Sequence, residues 1–168
     1  MTPPDLPWKR TTLTRRRLLS VAALAALAPG AHLAMAAGAV LPVAASLPDQ
    51  LTQALQKGKP LVVMVSLKGC PFCEVARNNY LAPLQRDGQI EVVQVNMLTP
   101  SLLTDFQGKA LTHEQLVRQW SVNIAPTVLF FGKGGAEVAD RLVGGYLPDF
   151  YGSYLESRLQ QAGRAVRS

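Results

Sequence analysis

The stretch VVMVSLKGCPFCEVA, residues 62–76, constrains this chain more than any other. It holds both cysteines of the protein, Cys70 and Cys73, three residues apart. Ahead of them runs PLVVMVSL, residues 60–67, a nearly unbroken apolar segment rich in valine. Such a run reads as a strand buried on both faces, as in the middle of an α/β sheet. After the pair, Val75, Tyr80 and Leu84 are spaced to line one face of a helix, which Pro83 is expected to kink or end. A C-x-x-C pair between a buried strand and the start of a helix is a specific context.

The chemistry follows from helix geometry. The first N–H groups of a helix lack partners and carry partial positive charge, which favours a thiolate there. Cys70 at the helix tip is therefore expected to be the nucleophile, with a pKa lowered from about 8.5 into the range of roughly 3.5–7.5. Spacing by three returns Cys73 to the same side one turn later, shielded and placed to resolve a mixed disulfide. Pro71 suits the first turn, where its missing N–H costs nothing. Phe72 supplies an apolar neighbour that cannot donate to Cys70. Lys68 and Glu74 flank the motif as candidate electrostatic modulators of the two thiols, each also readable as a solvated surface charge.

Two cysteines have other uses. Zinc sites take four ligands as a rule, and beyond the cysteine pair the chain offers only His32 and His113. His32 falls in the N-terminal export segment, so no metal is expected. A Cu(I)-binding or carrier protein needs only two thiolates and stays open as an alternative. A purely structural disulfide closing so short a loop would constrain little unfolded-state entropy. Redox chemistry is favoured, with no cofactor beyond the disulfide.

The 168 residues are 48% hydrophobic and 17% charged, which suits one domain with a core. The net charge of +6 suggests an anionic partner until its placement is considered. Residues 1–36 carry Lys9, Arg10, Arg15, Arg16 and Arg17 against Asp5, leaving 12 basic and 10 acidic residues in 37–168. No basic run with interleaved aromatics follows, so nucleic acid is not an expected partner.

The same N-terminal segment reads as an address. Arg15–Arg17 precede an apolar stretch, residues 18–28, then Pro29-Gly30 and an Ala34-Met35-Ala36 cleavage pattern. That is the grammar of a secretory signal peptide over 1–36. Thr14-Arg15-Arg16-Arg17-Leu18-Leu19 also resembles a twin-arginine export signal. Sec export, twin-arginine export and an uncleaved N-terminal membrane tether all remain open. Prolines and glycines in the segment argue against one continuous spanning helix. Export to the periplasm would place the cysteines where disulfides persist.

Residues 37–46 are expected to be a flexible lead-in, 47–163 the folded domain and 164–168 a tail. Within the domain, a helix is predicted over 47–58 and a second strand over 90–97. Residues 98–111 read as turn-rich. A helix over 112–122 has Thr112 as its N-cap. Strands follow over 126–132 and 136–145, joined by a tight GKGG hairpin. A closing helix over 147–163 has Phe150, Tyr154, Leu155 and Leu159 as its apolar stripe. The pattern predicts an α/β domain with a central mixed sheet of about four strands flanked by helices.

Two segments together resemble the thioredoxin fold: VVMVSLKGCPFCEVA and VNIAPTVLFF, residues 122–131. The resemblance implies a cis peptide at Pro126, facing the cysteine pair, with Ala125, Pro126 and Thr127 supporting the active site. A proline heading a strand cannot donate to the ladder, so the place suits it. GCPFCE, the segment TDFQGKALTHEQLVRQWSV and GGYLPDFYGSYL also resemble exported thioredoxin-related proteins of bacterial sulfur-oxidation clusters. That resemblance covers about 47–163. It implies a thiol–disulfide oxidoreductase acting on protein thiols and disulfides, recharged by a membrane electron-transfer partner. A monomer is expected. Thioredoxins carry a buried acid at the position of Met64 and a tryptophan at that of Gly69, and this chain departs from both. Pro71-Phe72 lacks the histidine of strongly oxidising relatives, which leans the direction toward reductase or interchange. An oxidising DsbA-like enzyme is the alternative.

Overall fold

A computed structural model describes residues 40–145 and 148–168. The expected signal peptide, residues 1–36, lies outside the described residues, as do residues 37–39 and Tyr146-Leu147 of the GGYLP segment. In chain order the elements are α1 (Leu47–Gln56), β1 (Leu61–Ser66), α2 (Pro71–Val75), a π-helical segment (Ala76–Leu81), α3 (Ala82–Arg86) and β2 (Glu91–Asn96). There follow β3 (Leu102–Thr104), β4 (Ala110–Thr112), α4 (His113–Gln119), β5 (Thr127–Phe131), β6 (Glu137–Val143) and α5 (Pro148–Arg167).

The central sheet has the order β2-β1-β5-β6. β1 runs parallel to β2 and antiparallel to β5, and β6 returns antiparallel to β5. This is the mixed four-stranded α/β sheet that the sequence predicts. All of β1 and β5 is buried because each strand serves two cores. Leu61, Val63 and Val65 pack on one face with α1 and α4 residues, including Leu51 and Leu116. Val62 and Met64 pack on the other with Cys73, Tyr151 and Leu155. Alternation along a strand thus feeds apolar side chains to both layers.

Four local readings are corrected. The lead-in is not loose from residue 41 onward. Leu41 and Ala44 are buried, and the segment runs parallel to β2, with the Ala44 N–H on Gln94 O at 2.9 Å and the Gln94 N–H on Pro42 O at 2.7 Å. The edge of β2 supplied partners that composition could not reveal. Residues 98–111 contain all of a β3–β4 hairpin but its last residue, Thr112, and its three-residue strands are too short to show a period. Its turn is organised by buried Asp105, whose Oδ1 accepts the N–H groups of Gln107 (2.9 Å) and Lys109 (2.8 Å).

The closing helix is longer than expected and is rotated from the expected stripe. Tyr151, Leu155, Ala162 and Val166 are buried, while Phe150 and Tyr154 are half exposed. α5 runs to Arg167, so the expected tail from residue 164 is almost all helix. Pro83, finally, does not end the helix, which continues to Arg86. The preceding turn widens instead, and the N–H of Ala82 reaches back to Arg77 O, five residues earlier. A proline ring clashes with the carbonyl four residues before it, and a π-turn removes that register. Val75 is consequently exposed, whereas Tyr80 packs at a 4.9 Å ring separation on Tyr151.

Candidate active site

The cysteine motif sits where β1 ends. A turn from Leu67 to Cys70 closes with the Cys70 N–H on Leu67 O at 3.2 Å. Its third residue, Gly69, has φ +74°, a left-handed conformation that side chains other than glycine resist. That requirement accounts for glycine where thioredoxins carry tryptophan. Cys70 then takes the N-cap position, and Pro71 opens α2.

Cys70 and Cys73 are joined, with Cα atoms 5.2 Å apart. Their surroundings differ sharply. Cys70 is partly exposed, and its Sγ accepts the Cys73 N–H at 3.2 Å. This is an N-cap bond to an otherwise unpaired helix donor, and it favours negative charge on that sulfur. Cys73 is 0% exposed and lies in an apolar layer with Met64, Ala76, Val128 and Phe130. Met64 is itself fully buried, so the β1 position that carries an acid in thioredoxins is dry and uncharged here.

The second half of the site comes from the loop before β5. The Ala125–Pro126 bond is cis. The Ala125 carbonyl oxygen lies 3.8 Å from Cys70 Sγ. Thr127, buried at the head of β5, donates its hydroxyl to Ile124 O at 2.7 Å and closes the loop. Phe72 is 49% exposed at the mouth, while Lys68 and Glu74 are exposed beside it. Cys70, Ala125 and Pro126 are therefore brought together although 55 residues separate the two segments.

Two further places went unassigned at the sequence level. The Gly144 N–H donates to Pro126 O at 2.8 Å. A Cβ on Gly145 would stand 3.4 Å from Phe72 Cβ and 3.8 Å from Pro126 Cγ. The glycine pair that ends β6 thus forms a third wall, and the GG of GGYLP was its available signal. Behind the motif, Arg77 donates from Nε to Gln94 Oε1 (2.9 Å) and from Nη2 to Ser66 Oγ (3.0 Å). No local pattern marks that cluster, because its members come from three elements.

Two titratable groups are shifted near these layers. His113 is buried, and burial pushes its pKa below the ordinary value, partly offset by a hydrogen bond to the Ala44 backbone. Its Nδ1 accepts the Asn96 N–H at 3.1 Å, which requires the neutral ring. Burial raises the Tyr151 phenol well above its ordinary value, with the neighbouring Tyr80 adding to the effect. The Tyr151 hydroxyl is buried without a hydrogen-bond partner.

No curated protein sequence matches the chain. Among solved structures, the chain is similar to a DsbH oxidoreductase (18% identity, TM-score 0.49, covering 73% of this chain and 88% of that one). It is similar to Fasciola hepatica thioredoxin (21% identity, TM-score 0.47, 73% and 99%). It is also similar to Trxlp from Edwardsiella tarda (23% identity, TM-score 0.44, 67% and 97%). Residues 47–158, two thirds of the chain, match the family described as a thioredoxin-like domain, and the chain belongs to that family.

Proposed function

We propose that the protein is an exported thiol–disulfide oxidoreductase that acts on protein cysteines in the reductase or interchange direction. The observation that carries this reading is the asymmetry of the pair. Cys70 is partly exposed at a helix N-cap, and Cys73 is wholly buried behind it. In the reducing direction, the Cys70 thiolate attacks one sulfur of a substrate disulfide. The first substrate sulfur leaves as a thiolate and takes up a proton, and a mixed disulfide forms. Cys73, on losing its proton, attacks Cys70 Sγ. The second substrate sulfur leaves and is protonated in turn. Two electrons pass to the substrate, and Cys70–Cys73 becomes a disulfide.

Ala125, Pro126 and Thr127, with Phe72 and Gly145, form the walls against which the substrate segment lies in this reading. The direction is supported by what surrounds the sulfurs. An apolar Pro71-Phe72 pair and a dry layer around Cys73 add one N–H to Cys70 and no charged partner for Cys73. Strong oxidants owe their potential to a stabilised reduced form. A membrane electron carrier would re-reduce the pair, and residues 1–36 would direct the chain to the periplasm.

Replacing Cys70 with serine abolishes reduction of a disulfide-bonded test protein, whereas replacing Cys73 traps mixed disulfides. Retained turnover in the Cys70 variant overturns the assignment. Equilibration of the pair with glutathione gives the direction. A potential close to that of thioredoxin, about −270 mV, agrees with a reductase; one near −120 mV makes it an oxidant. Stoichiometric Cu(I) binding with no exchange would favour the carrier alternative. Fractionation of cells expressing the full chain, and its Arg15→Lys/Arg16→Lys form, tests the export route.

A further inference from the structure

Beside the cysteine motif, on the side formed by Lys68, Gly69 and Glu74, lies a groove of about 620 Å³. It is also lined by Ser66, Arg77 and Gln94. This volume is in the range that holds a small ligand or a few residues of peptide. Gly69 is the residue before Cys70, so the groove begins one residue from the reactive sulfur.

The arginine in this groove is unusual within the molecule. Among the described residues, three arginines are half-buried: Arg77, Arg141 and Arg158. Arg141 is paired with Glu137, and Arg158 with Asp140. Half-buried Lys59 likewise has Glu91. Among the described residues no carboxylate pairs with Arg77; its bonds go to the neutral oxygens of Gln94 and Ser66. A guanidinium has five N–H donors, and these two bonds leave most of them unused. A charge withdrawn from water is ordinarily balanced by an opposite one.

Arg77 is also held in place. Gln94 Nε2 donates to Asn96 Oδ1 at 2.5 Å, and the Asn96 N–H is fixed on His113 at 3.1 Å. Ser66 is buried at the end of β1. A guanidinium with anchored acceptors loses little freedom when an anion arrives, which is how a binding group is preorganised. Exposed Lys68 adds a second cation on the same groove, against Glu74 alone.

We infer that this groove receives a carboxylate of the substrate, carried within a few residues of its reacting cysteine, with Arg77 as the specificity-determining residue and Lys68 as its helper. The inference rests on the oxidoreductase reading of Cys70 and deepens it. It makes the enzyme selective for disulfides set in acidic sequence.

The test uses blocked cysteine-peptide disulfides, identical except for glutamate or glutamine, placed one to three residues from the cysteine on either side. The wild-type chain should favour the best-placed acidic peptide about five- to tenfold in kcat/KM, as expected of a partly shielded ion pair. In Arg77→Gln the acidic-to-neutral ratio should fall about five- to tenfold from its wild-type value, and Arg77→Lys should keep part of it. The effect of the glutamate on its own thiol is the same in wild type and variant, so it cancels when the two ratios are compared. Raising salt from 0.05 to 0.5 M should erase the wild-type preference, a measurement that needs no variant. An equal ratio in wild type and Arg77→Gln overturns the inference, as does a preference insensitive to salt. Failure of wild type to exchange with either peptide speaks against the oxidoreductase reading instead. Calorimetry of the same peptides with serine for cysteine then decides the groove, and equal binding of the acidic and neutral forms overturns it.

Discussion

The two sulfurs are bonded to each other yet occupy opposite environments. Cys70 has an N–H donor, a loop carbonyl and solvent around it. Cys73 has Met64, Val128 and Phe130 in its layer and no exposure at all. The difference arises from one turn of helix laid across the end of a sheet. The N-cap residue lies past the end of β1 and stays partly exposed, whereas the residue three later is buried among side chains of β1 and β5. An open sulfur and a sealed one are what a sequence of attack and resolution requires, and the fold provides both from two cysteines three residues apart.

The largest expected change comes from breaking the sealed side. Met64→Asp places a carboxyl in a wholly buried position, and the fold should lose about 3–5 kcal/mol, measured by denaturant unfolding. A loss below about 1 kcal/mol would mean that water already reaches this layer and that Cys73 is not sealed. Narrowing the open side should spare stability and reduce activity. The side chain of Gly145→Val must fit between Phe72 and Pro126, and kcat/KM on a protein disulfide should fall about ten- to hundredfold through misplaced substrate. An unchanged rate would remove Gly145 from the wall.

A smaller effect of opposite sign is expected at the back of the sealed layer. Tyr151→Phe removes a buried hydroxyl that has no partner, and stability should hold or rise by about 1 kcal/mol. A marked loss would show that the hydroxyl does bond in solution.

The last prediction concerns pH. The lowered pKa of His113 means that the folded state binds fewer protons than the unfolded one. Its contribution is fully present above the ordinary value of 6.5, and it is lost as pH falls below that toward the folded value. Thermal unfolding between pH 7.5 and 5 should therefore show a steeper loss in wild type than in His113→Gln. Equal slopes would rule out His113 as the titrating group.

Legibility in the sequence followed the range of each interaction. The buried strand before Cys70, the helix after it and the Thr112 cap are written in contiguous residues. The cap appears as a reciprocal bond pair between Thr112 and Gln115. Strand Thr127–Phe131 was equally plain, being apolar throughout. The stripe of α5 was misassigned because aromatic residues at 150, 151 and 154 allow more than one face, and only contact with Tyr80 and the sheet selects Tyr151. The pairing of residues 42–46 was hidden for a similar reason. Short, small side chains carry no strand signal; the open edge of β2 pairs with Val43, and Thr104 of β3 with Ser46. The Arg77 cluster had no signal at all, since Ser66, Gln94 and Arg77 meet only when β1, β2 and the π-segment are assembled.

The sequence by itself determined the order of the four central strands and of the helices before, between and after them, the family-bearing motif and which two sulfurs can react. Those properties rest on backbone periodicity, proline and glycine stereochemistry and spacing within one helical turn, all of which act over a few residues. Tertiary structure alone decided that Gly145 closes the mouth and that Arg77 stands without a carboxylate partner among the described residues. Burial and charge pairing are properties of what surrounds a group, and here the surroundings are gathered from segments far apart in the chain.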